Sequence, residues 1–214
     1  MTQMVKKQYA SKRRQEQARE TRLRIVAAAR DLFVAKGYGR TTMADVAGTA
    51  GVAVETVYAA FRNKPTLLRQ VWFVGFRGDG EDIRLLHRPE LQAVLAEPDL
   101  PSRLRAQAAF MAPVFRRIGP LLVALRGAAA SEQAAADMLA EFDGLRLDAA
   151  RHYARLAVET GQLGVSEAEC RDVLAATMDG SLWQRLVPES GWSDDSFAEW
   201  LGEMWVSVLV RPND

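Results

Sequence analysis

The residue types that most often carry catalysis are sparse in this chain of 214 residues. The two histidines, His87 and His152, are far apart in the sequence, and the single cysteine, Cys170, has no evident base beside it. The glycine-rich stretch GFRGDG does not link a strand to a helix, as a phosphate-binding loop requires, and no His or Cys spacing fits a metal site. We therefore expect no catalytic residues, no metal and no cofactor.

Recognition of nucleic acid is the chemistry indicated by residues 41–68, TTMADVAGTAGVAVETVYAAFRNKPTLL. Two short apolar-periodic segments flank Gly51, a residue that suits a turn with positive φ. The pattern predicts one helix that starts at Thr42, with Asp45 in a weak capping box, and a second helix from about Val54 to Phe61. Such a pair is a helix-turn-helix, which places its second helix in the major groove. An ordinary helical hairpin is the alternative.

The second of these helices is predicted to point Val57 and Phe61 inward. The residues that then face outward are Val54, Glu55, Tyr58 and Ala59. In a major groove, small apolar groups can touch thymine methyls, Glu55 and Thr56 can meet base edges, and Tyr58 can reach a phosphate. Lys64 follows the helix and is placed for the DNA backbone.

The charge of the chain is divided in a way that supports this interpretation. Residues 1–64 hold 13 Lys and Arg against 5 Asp and Glu, whereas residues 65–214 hold 15 Arg against 22 Asp and Glu. A basic head on an acidic body suggests a polyanion-binding module attached to another domain. A solvated basic tail is the other explanation, because residues 6–24 supply most of the positive charge.

The rest of the chain favours an all-α fold. Helical periodicity begins at Thr21, whereas residues 1–20 are charged, have few large apolar groups and show no periodicity, so we predict a disordered basic arm there. Further helices are predicted near residues 81–87, 90–97, 102–117, 120–127, 131–160, 166–187 and 193–210, with no convincing strand. The predicted domains are a helix-turn-helix domain at 21–64 and a ligand-binding and dimerisation domain at 65–214.

The motifs of the head resemble the TetR family of transcriptional regulators. The resemblance rests on LFVAKGYGRTTM, DVAGTAGV and ETVYAAFRNKPTLL, and it is dense over residues 22–70. It implies an all-helical homodimer with an N-terminal DNA-binding domain and a C-terminal ligand and dimer domain. By position, it also implies that Thr42 and Met43 meet phosphate and that Ala53 joins the DNA-facing set. Ala53 stands where relatives often have Ser or Thr, which removes a helix cap.

The apolar residues of the body are candidates for core or for the lining of a ligand pocket. Pro113 should kink the helix that contains it, and a kink beside Phe110, Met111 and Phe115 could open a cavity. The full candidate lining is Trp72, Phe76, Phe110, Met111, Val114, Phe115, Leu122, Leu125, Met138, Phe142 and Leu145. Arg117, Arg126 and Arg146 are candidates for an anionic effector group or are plain surface charges.

The last two long helices are apolar over wide faces, which favours a two-fold interface built from two helices of each subunit. An internal hairpin that packs on its own body is the alternative. The candidate interface residues are Leu174, Thr177, Met178, Ser181, Trp200, Leu201, Met204, Trp205 and Val208.

These features together predict a cytoplasmic regulator and not an enzyme. The single cysteine, the absence of a signal-like N-terminus and the absence of an apolar run of membrane-spanning length favour that location. The expected partners are a palindromic double-stranded DNA operator, a second copy of the chain, and a small apolar effector that releases a repressor, with no membrane. The alternatives are a body that docks a protein partner and a helical enzyme with a DNA-binding head.

Overall fold

The computed structural model describes residues 2–78 and 85–212, with side chains from Arg13 onward. It confirms the all-α fold: within the described residues there is no strand, only one isolated antiparallel bridge between Leu163 and Val210. The helices are α1 (Thr2–Lys36), α2 (Met43–Ala50), α3 (Val54–Phe61), α4 (Lys64–Arg77), α5 (Pro89–Leu95), α6 (Leu100–Ala128), α7 (Gln133–Glu159), α8 (Glu167–Thr177), α9 (Ser181–Gln184) and α10 (Asp194–Leu209). A 3₁₀ turn occupies Leu85–His87 and a π-helical turn Arg185–Glu189.

The chain divides into a head, residues 1–74, and a body, residues 75–214. The predicted boundary after residue 64 lies earlier in the chain than this division. Lys64, the first residue of α4, donates through Nζ to the carbonyl oxygens of Tyr38 (3.1 Å) and Gly39 (3.3 Å), both in the head. Leu67 and Leu68 in the next turn are fully buried. The first part of α4 thus belongs to the head.

Helix α1 begins at Thr2 and thus extends through the N-terminal arm. The arm is rich in Lys, Arg, Gln, Glu and Ala, which all have high intrinsic helix propensity. It also continues directly into the amphipathic part of α1, so no nucleation step is needed to extend the helix. The predicted segment at 81–87 falls partly on residues 81–84, which lie outside the described residues.

The longest helix of the body, α6, joins two predicted segments into one. Pro113 and Pro120 both lie inside it, although each lacks the N–H that would bond to the carbonyl of the preceding turn. The helix nevertheless continues, because one side of it is buried along its length, including Ile118 and Leu125. Packing thus outweighs the absence of two backbone hydrogen bonds.

Helix α10 runs antiparallel to α6 and is closely packed against it. Arg105 on α6 forms a bidentate pair with Glu203 at 2.6 and 3.1 Å, and Arg116 pairs with Asp194 at 3.2 Å. Between these pairs, Gly202 allows close approach, since a Cβ there would lie 3.0 Å from the Cα of Arg105.

The predicted helix at 166–187 is interrupted. The Ser166–Glu169 capping box starts α8 as predicted, but α8 ends at Thr177. Gly180 follows with φ of +77°, a conformation that favours glycine. A Cβ at that position would also lie 3.3 Å from Leu122 Cδ1. The chain then continues through α9 and the π-helical turn.

By length and composition alone, α6 is apolar enough to cross a membrane, although no run of that kind was predicted. More than half of its most apolar window is buried inside the folded chain. The core helix of a soluble protein meets the same criterion.

Arg103 is a buried cation at the start of α6, only 8% exposed. Its Nε donates to the Glu97 carbonyl at 2.6 Å and its Nη1 to the Leu156 carbonyl at 2.9 Å. Leu156 lies in the last turn of α7, where carbonyls have no helical partner and the dipole attracts a cation. Burial lowers the pKa of Arg103, and attraction to Glu159 and Glu97 opposes this.

We therefore expect Arg103→Met to destabilise the chain by about 2–3 kcal/mol, because two carbonyls are left without a charged donor. The free energy of unfolding of the full chain in urea would measure this. Arg105→Met is the matched control, since Arg105 is exposed and its pair with Glu203 faces solvent; we expect a much smaller loss. Equal losses in the two variants would contradict the assigned role of Arg103.

Candidate nucleic-acid interface

Helix α2 begins with the predicted capping box. Thr42 Oγ1 accepts a hydrogen bond from the Asp45 amide at 3.1 Å, and the Thr42 amide donates to Asp45 Oδ2 at 2.9 Å. The backbone and side-chain hydrogen bonds from Thr42, and the nearby Lys36, lower the pKa of Asp45. The carboxylate is thus held in its charged form at the positive end of α2.

The turn between α2 and α3 forms at Gly51, as predicted, with φ of +64°. The Gly51 amide points back to the end of α2, and the Val52 amide donates to the Ala47 carbonyl at 3.1 Å. Val46 and Ala47 of α2 are buried, as is Val57 of α3. The turn and this apolar contact fix the direction of α3 relative to α2.

The exposed face of α3 is the one that the sequence pattern predicts. Val57 and Phe61 are fully buried, and Val54 is partly buried. The side chain of Tyr58 is 50% exposed. The other exposed side chains of this face are Glu55, Thr56 and Ala59.

Three residues predicted to contact DNA lie at the edges of this face, and they differ in the groups that DNA could reach. Thr42 and Ala53 are exposed, and Ala53 makes no side-chain cap for α3. Met43 is only 6% exposed, so its side chain packs in the core of the head. A phosphate contact by Met43 therefore stays a prediction, with its backbone amide in the first turn of α2 as the available group.

Lys64 has a role inside the head that its position in the motif did not predict. Its ammonium lies 4.3 Å from the centroid of the Tyr38 ring, in addition to donating to the Tyr38 and Gly39 carbonyls. The side chain is only partly exposed. Lys64 therefore ties α4 to the turn that follows α1, and its contact with the DNA backbone stays a prediction.

Two further residues hold α3, and sequence reasoning missed both. Arg22 of α1 donates to the Ala60 carbonyl at 2.8 Å, and its guanidinium lies 4.3 Å from the centroid of the Phe61 ring. No local signal announces this contact, because the partners are 38 residues apart in sequence. Arg22 joins α1 to the C-terminal end of α3.

The other missed residue is Arg62, at the junction of α3 and α4. It is the one non-glycine residue with positive φ, +61°, in the described part of the chain. The Asn63 amide donates to the Phe61 carbonyl at 2.6 Å, which makes a γ-turn of the rare, strained kind. Asn63 Oδ1 then accepts from the Thr66 amide at 2.9 Å and caps α4; an Asn before the Lys-Pro pair is the signal for that cap.

In the body, the structure separates the candidate pocket residues by burial. Those with less than a tenth of their surface exposed are Met111, Val114, Phe115, Leu122, Leu125, Met138 and Phe142. Phe76 and Phe110 are partly exposed. Trp72 is buried but belongs to the head, and Leu145 is 49% exposed. Leu145 is therefore withdrawn as a lining residue, because one-face periodicity did not fix which side of α7 is covered.

The three arginines considered for an anionic effector all have partners within the body. Arg117 Nε donates to the Gly75 carbonyl at 2.7 Å. Arg126 donates to Ser181 Oγ and to Asp179 Oδ2, each at 2.8 Å. Arg146 donates to Asp143 Oδ1 and to the Ala175 carbonyl. Each is used to join helices or turns of the body.

The candidate interface residues also divide by burial. Leu174, Met178, Leu201 and Trp205 are at most 6% exposed within the single chain, so they form its core, and their prediction as subunit contacts is corrected. Much of the apolar face of α10 is buried by packing within the chain, because α10 lies against α6 and α8.

Two polar members of the predicted interface are held within the chain as well. Thr177 Oγ1 accepts from Trp205 Nε1 at 2.8 Å, and Ser181 Oγ bonds to Asp179 at 2.7 Å.

A narrower apolar surface on α10 remains outside the core. Trp200 and Met204 are partly exposed and Val208 is 45% exposed, and these residues recur every four positions along one side of the helix. Trp192, which was not among the predicted interface residues, is 37% exposed and lies edge-on to Trp200 with ring centroids 5.9 Å apart. We call Trp192, Trp200, Met204 and Val208 the α10 strip.

The side chains best suited to catalysis, two histidines and one cysteine, do not form a catalytic arrangement. His87 and His152 are exposed, and Cys170 is buried, which raises the pKa of its thiol to about 11. In residues 2–78 and 85–212, no group of three or more His, Cys, Asp or Glu is positioned to hold a metal ion.

The paired helices with an exposed second helix define the head as a helix-turn-helix DNA-binding domain. A sequence model of the family described as "Bacterial regulatory proteins, tetR family" matches residues 25–71, which lie within the head. The head thus matches the model of this family, and the resemblance inferred from its residues is confirmed.

The similarity to individual proteins is strongest in the same region. "HTH-type transcriptional regulator TtgR" of Pseudomonas putida is 43% identical over 58 residues, which cover 27% of this chain and 28% of TtgR. The match thus spans less than a third of that relative.

Solved structures extend the likeness to the whole fold. The structure of SmeT in complex with triclosan has a TM-score of 0.66 and 21% identity, with 90% of this chain and 92% of that chain covered. Native NalD, described as the secondary repressor of the MexAB-OprM multidrug efflux pump in Pseudomonas aeruginosa, has a TM-score of 0.62 and 21% identity, with 91% and 98% covered.

The capping box predicts a pH-dependent contribution to the stability of the head. The pKa of Asp45 is below its usual 3.8 in the folded chain, so the stabilisation is complete above that value and is lost as the pH falls toward the folded pKa. We expect Asp45→Asn to lower the thermal midpoint of the head at pH 7, and the difference from the unmodified chain to shrink at pH 3.

Asp31→Asn is the control, since Asp31 is exposed and contacts only Arg30 at 3.4 Å among the described ion pairs; it should leave both midpoints unchanged. The same pH dependence in Asp45→Asn and in the unmodified chain would refute the assigned role of the capping box.

Proposed function

We propose that this protein is a transcriptional repressor that binds a palindromic operator as a homodimer and is released by a small apolar effector. The observation that carries the proposal is the exposed face of α3, with Tyr58 half in solvent on a domain of the TetR family. Features of the head support DNA binding, and features of the body support the dimer and the effector.

In the head, α3 is the element proposed to enter the major groove. Its exposed side chains suit different parts of the DNA: Ala59 and the exposed part of Val54 can touch thymine methyls, and Glu55 can accept from a cytosine amino group. Thr56 can meet a base edge, and the hydroxyl of Tyr58 can donate to a phosphate. Thr42, Ala53 and the Met43 amide are proposed to meet the backbone on either side.

Two heads are needed to read a palindrome, and the α10 strip is the surface proposed to join the subunits. It is apolar, contains two tryptophans and lies outside the core of its own chain. Such a surface favours a self-complementary contact around a two-fold axis. The dimer would then present its two heads about one helical turn, ~34 Å, apart.

The body is proposed to take up the effector among the buried apolar residues of α6 and α7, which include Met111, Phe115, Met138 and Phe142. The SmeT structure holds triclosan, an example of a ligand in a protein of this fold. Helix α4 connects head and body within one continuous helix, so it is the natural route for coupling. The effector must bind the two head spacings with different affinity, and a coupling of ~1–3 kcal/mol is typical.

The proposal is tested by binding of the purified full chain to DNA from upstream of its own gene, with random DNA as competitor, in a series of salt concentrations. We expect protection of an inverted repeat and an affinity that falls steeply as salt rises. Equal competition by random DNA would argue against an operator in that region, and a genome-wide selection for bound fragments would then decide between a distant target and none.

A substitution in α3 tests the assigned face directly. We expect Tyr58→Ala to weaken operator binding about ten-fold, through loss of one hydrogen bond to a charged phosphate and its ring contact. Tyr58→Phe should show most of the same loss if the hydroxyl makes the contact. Electrophoretic mobility shift titrations would measure both.

Val34→Ala serves as the control for Tyr58, because Val34 is an exposed apolar residue of the head (39%) but lies on α1. Its operator affinity should equal that of the unmodified chain. If Tyr58→Ala binds the operator with unchanged affinity, the proposed orientation of α3 on DNA is wrong.

The subunit contact is tested by a charge placed in the α10 strip. We expect Val208→Arg to shift the chain from dimer to monomer in sedimentation velocity and to weaken operator binding with it. Val158→Arg on α7 is the matched control, because Val158 is exposed to nearly the same degree (46% against 45%). A Val208→Arg variant that remains dimeric would remove the α10 strip from the interface.

A further inference from the structure

Residues 13–20 of α1 lie outside the apolar core of the head. All residues from Arg13 to Glu20 are exposed, and Ile25 is the first buried residue among the described side chains of the helix, which begin at Arg13. We call residues 2–20 the α1 extension. A helical segment without an apolar face gains little stability from packing against its own chain. Its charged side chains are therefore the feature that could give it a function.

The α1 extension carries six Lys and Arg against two Asp and Glu. Among its described side chains, Arg13, Arg14 and Arg19 are exposed basic groups. This density of positive charge matches a polyanion, and the phosphate backbone is the polyanion that the head would already meet.

The position of the α1 extension relative to α3 makes this charge relevant to DNA. Arg22, two residues after the extension ends, donates to the Ala60 carbonyl and lies over the Phe61 ring, both at the C-terminal end of α3. The α1 extension therefore leaves the head directly beside the helix proposed to read the operator. Because α3 has eight residues, its whole length is about 12 Å.

The reach of the α1 extension is sufficient to contact DNA beyond the half-site. A helix of 19 residues is about 28 Å long at 1.5 Å per residue. One turn of B-DNA is about 34 Å long. An extension that starts beside α3 can thus reach phosphates that neither α2 nor α3 approaches.

We propose that the α1 extension is a second DNA-binding element, which contacts the phosphate backbone flanking each half-site independently of base sequence. The inference rests on the proposed DNA-binding function and adds to it a surface outside the helix-turn-helix. It also gives a use to a helix that lacks an apolar face: phosphates offset the repulsion among its basic side chains.

The test is a triple variant, Arg13→Gln with Arg14→Gln and Arg19→Gln, in the full-length chain. Glutamine has nearly the same helix propensity as arginine, so circular dichroism should show unchanged helix content. Binding to the upstream duplex and to a random duplex of equal length is measured from low to high salt. We expect weaker binding to both, and a salt slope reduced by about one for each phosphate that the variant no longer neutralises.

A triple variant in the body, Arg151→Gln with Arg155→Gln and Arg185→Gln, is the matched control. These arginines are exposed, and the change in net charge is the same, but they are not in the head. The control should keep the salt slope of the unmodified chain. A reduced slope in both variants would attribute the effect to net charge and overturn the proposal.

If the unmodified chain binds the upstream duplex and the Arg13, Arg14 and Arg19 variant keeps the same salt slope, the α1 extension is a solvated tail and the helix-turn-helix acts alone. If the unmodified chain binds neither duplex at any salt concentration, DNA binding itself is refuted, and the inference falls with it.

Discussion

The head depends on one constraint: a helix as short as α3 cannot hold its shape or direction by itself. Eight residues are well below the length at which an isolated helix is stable in water. The burial of Val57 and Phe61 therefore supplies the order that lets the opposite side face outward. The neighbouring contacts serve the same end, since Arg22 covers Phe61 from α1 and Lys64 fixes the start of α4.

The body solves a different problem, which is to build a core around a long helix that contains two prolines. Close packing at Gly202 and ion pairs along α10 hold α6 in place, although Pro113 and Pro120 remove backbone donors. Arg103 adds a buried cation that donates to the carbonyls of Glu97 and Leu156. The resulting apolar layer buries much of the surface that the sequence suggested as a contact with a second subunit.

Features set by nearby residues were predictable in the head. The capping box at Thr42, the positive φ at Gly51 and the exposure of Tyr58 each depend on side chains within a few positions along the chain. Contacts between distant segments could not be predicted. Met43 and Lys64 were assigned to DNA by their positions in the motif, whereas the burial of Met43 and the contacts of Lys64 with the Tyr38 and Gly39 carbonyls depend on how α1, α2 and α4 pack.

The sequence by itself determined the helical class, the helix-turn-helix and its outward face, because periodicity, capping and turn preference are local properties of the chain. Only the tertiary structure decided which apolar faces remain exposed. Leu201 and Trp205 lie in the core, while Val208 on the same helix is exposed to solvent. The apolar pattern of one helix does not indicate which other helix will cover its apolar face. Likewise, Arg22 acquires its place against α3 only when residues 38 positions apart meet in the folded head.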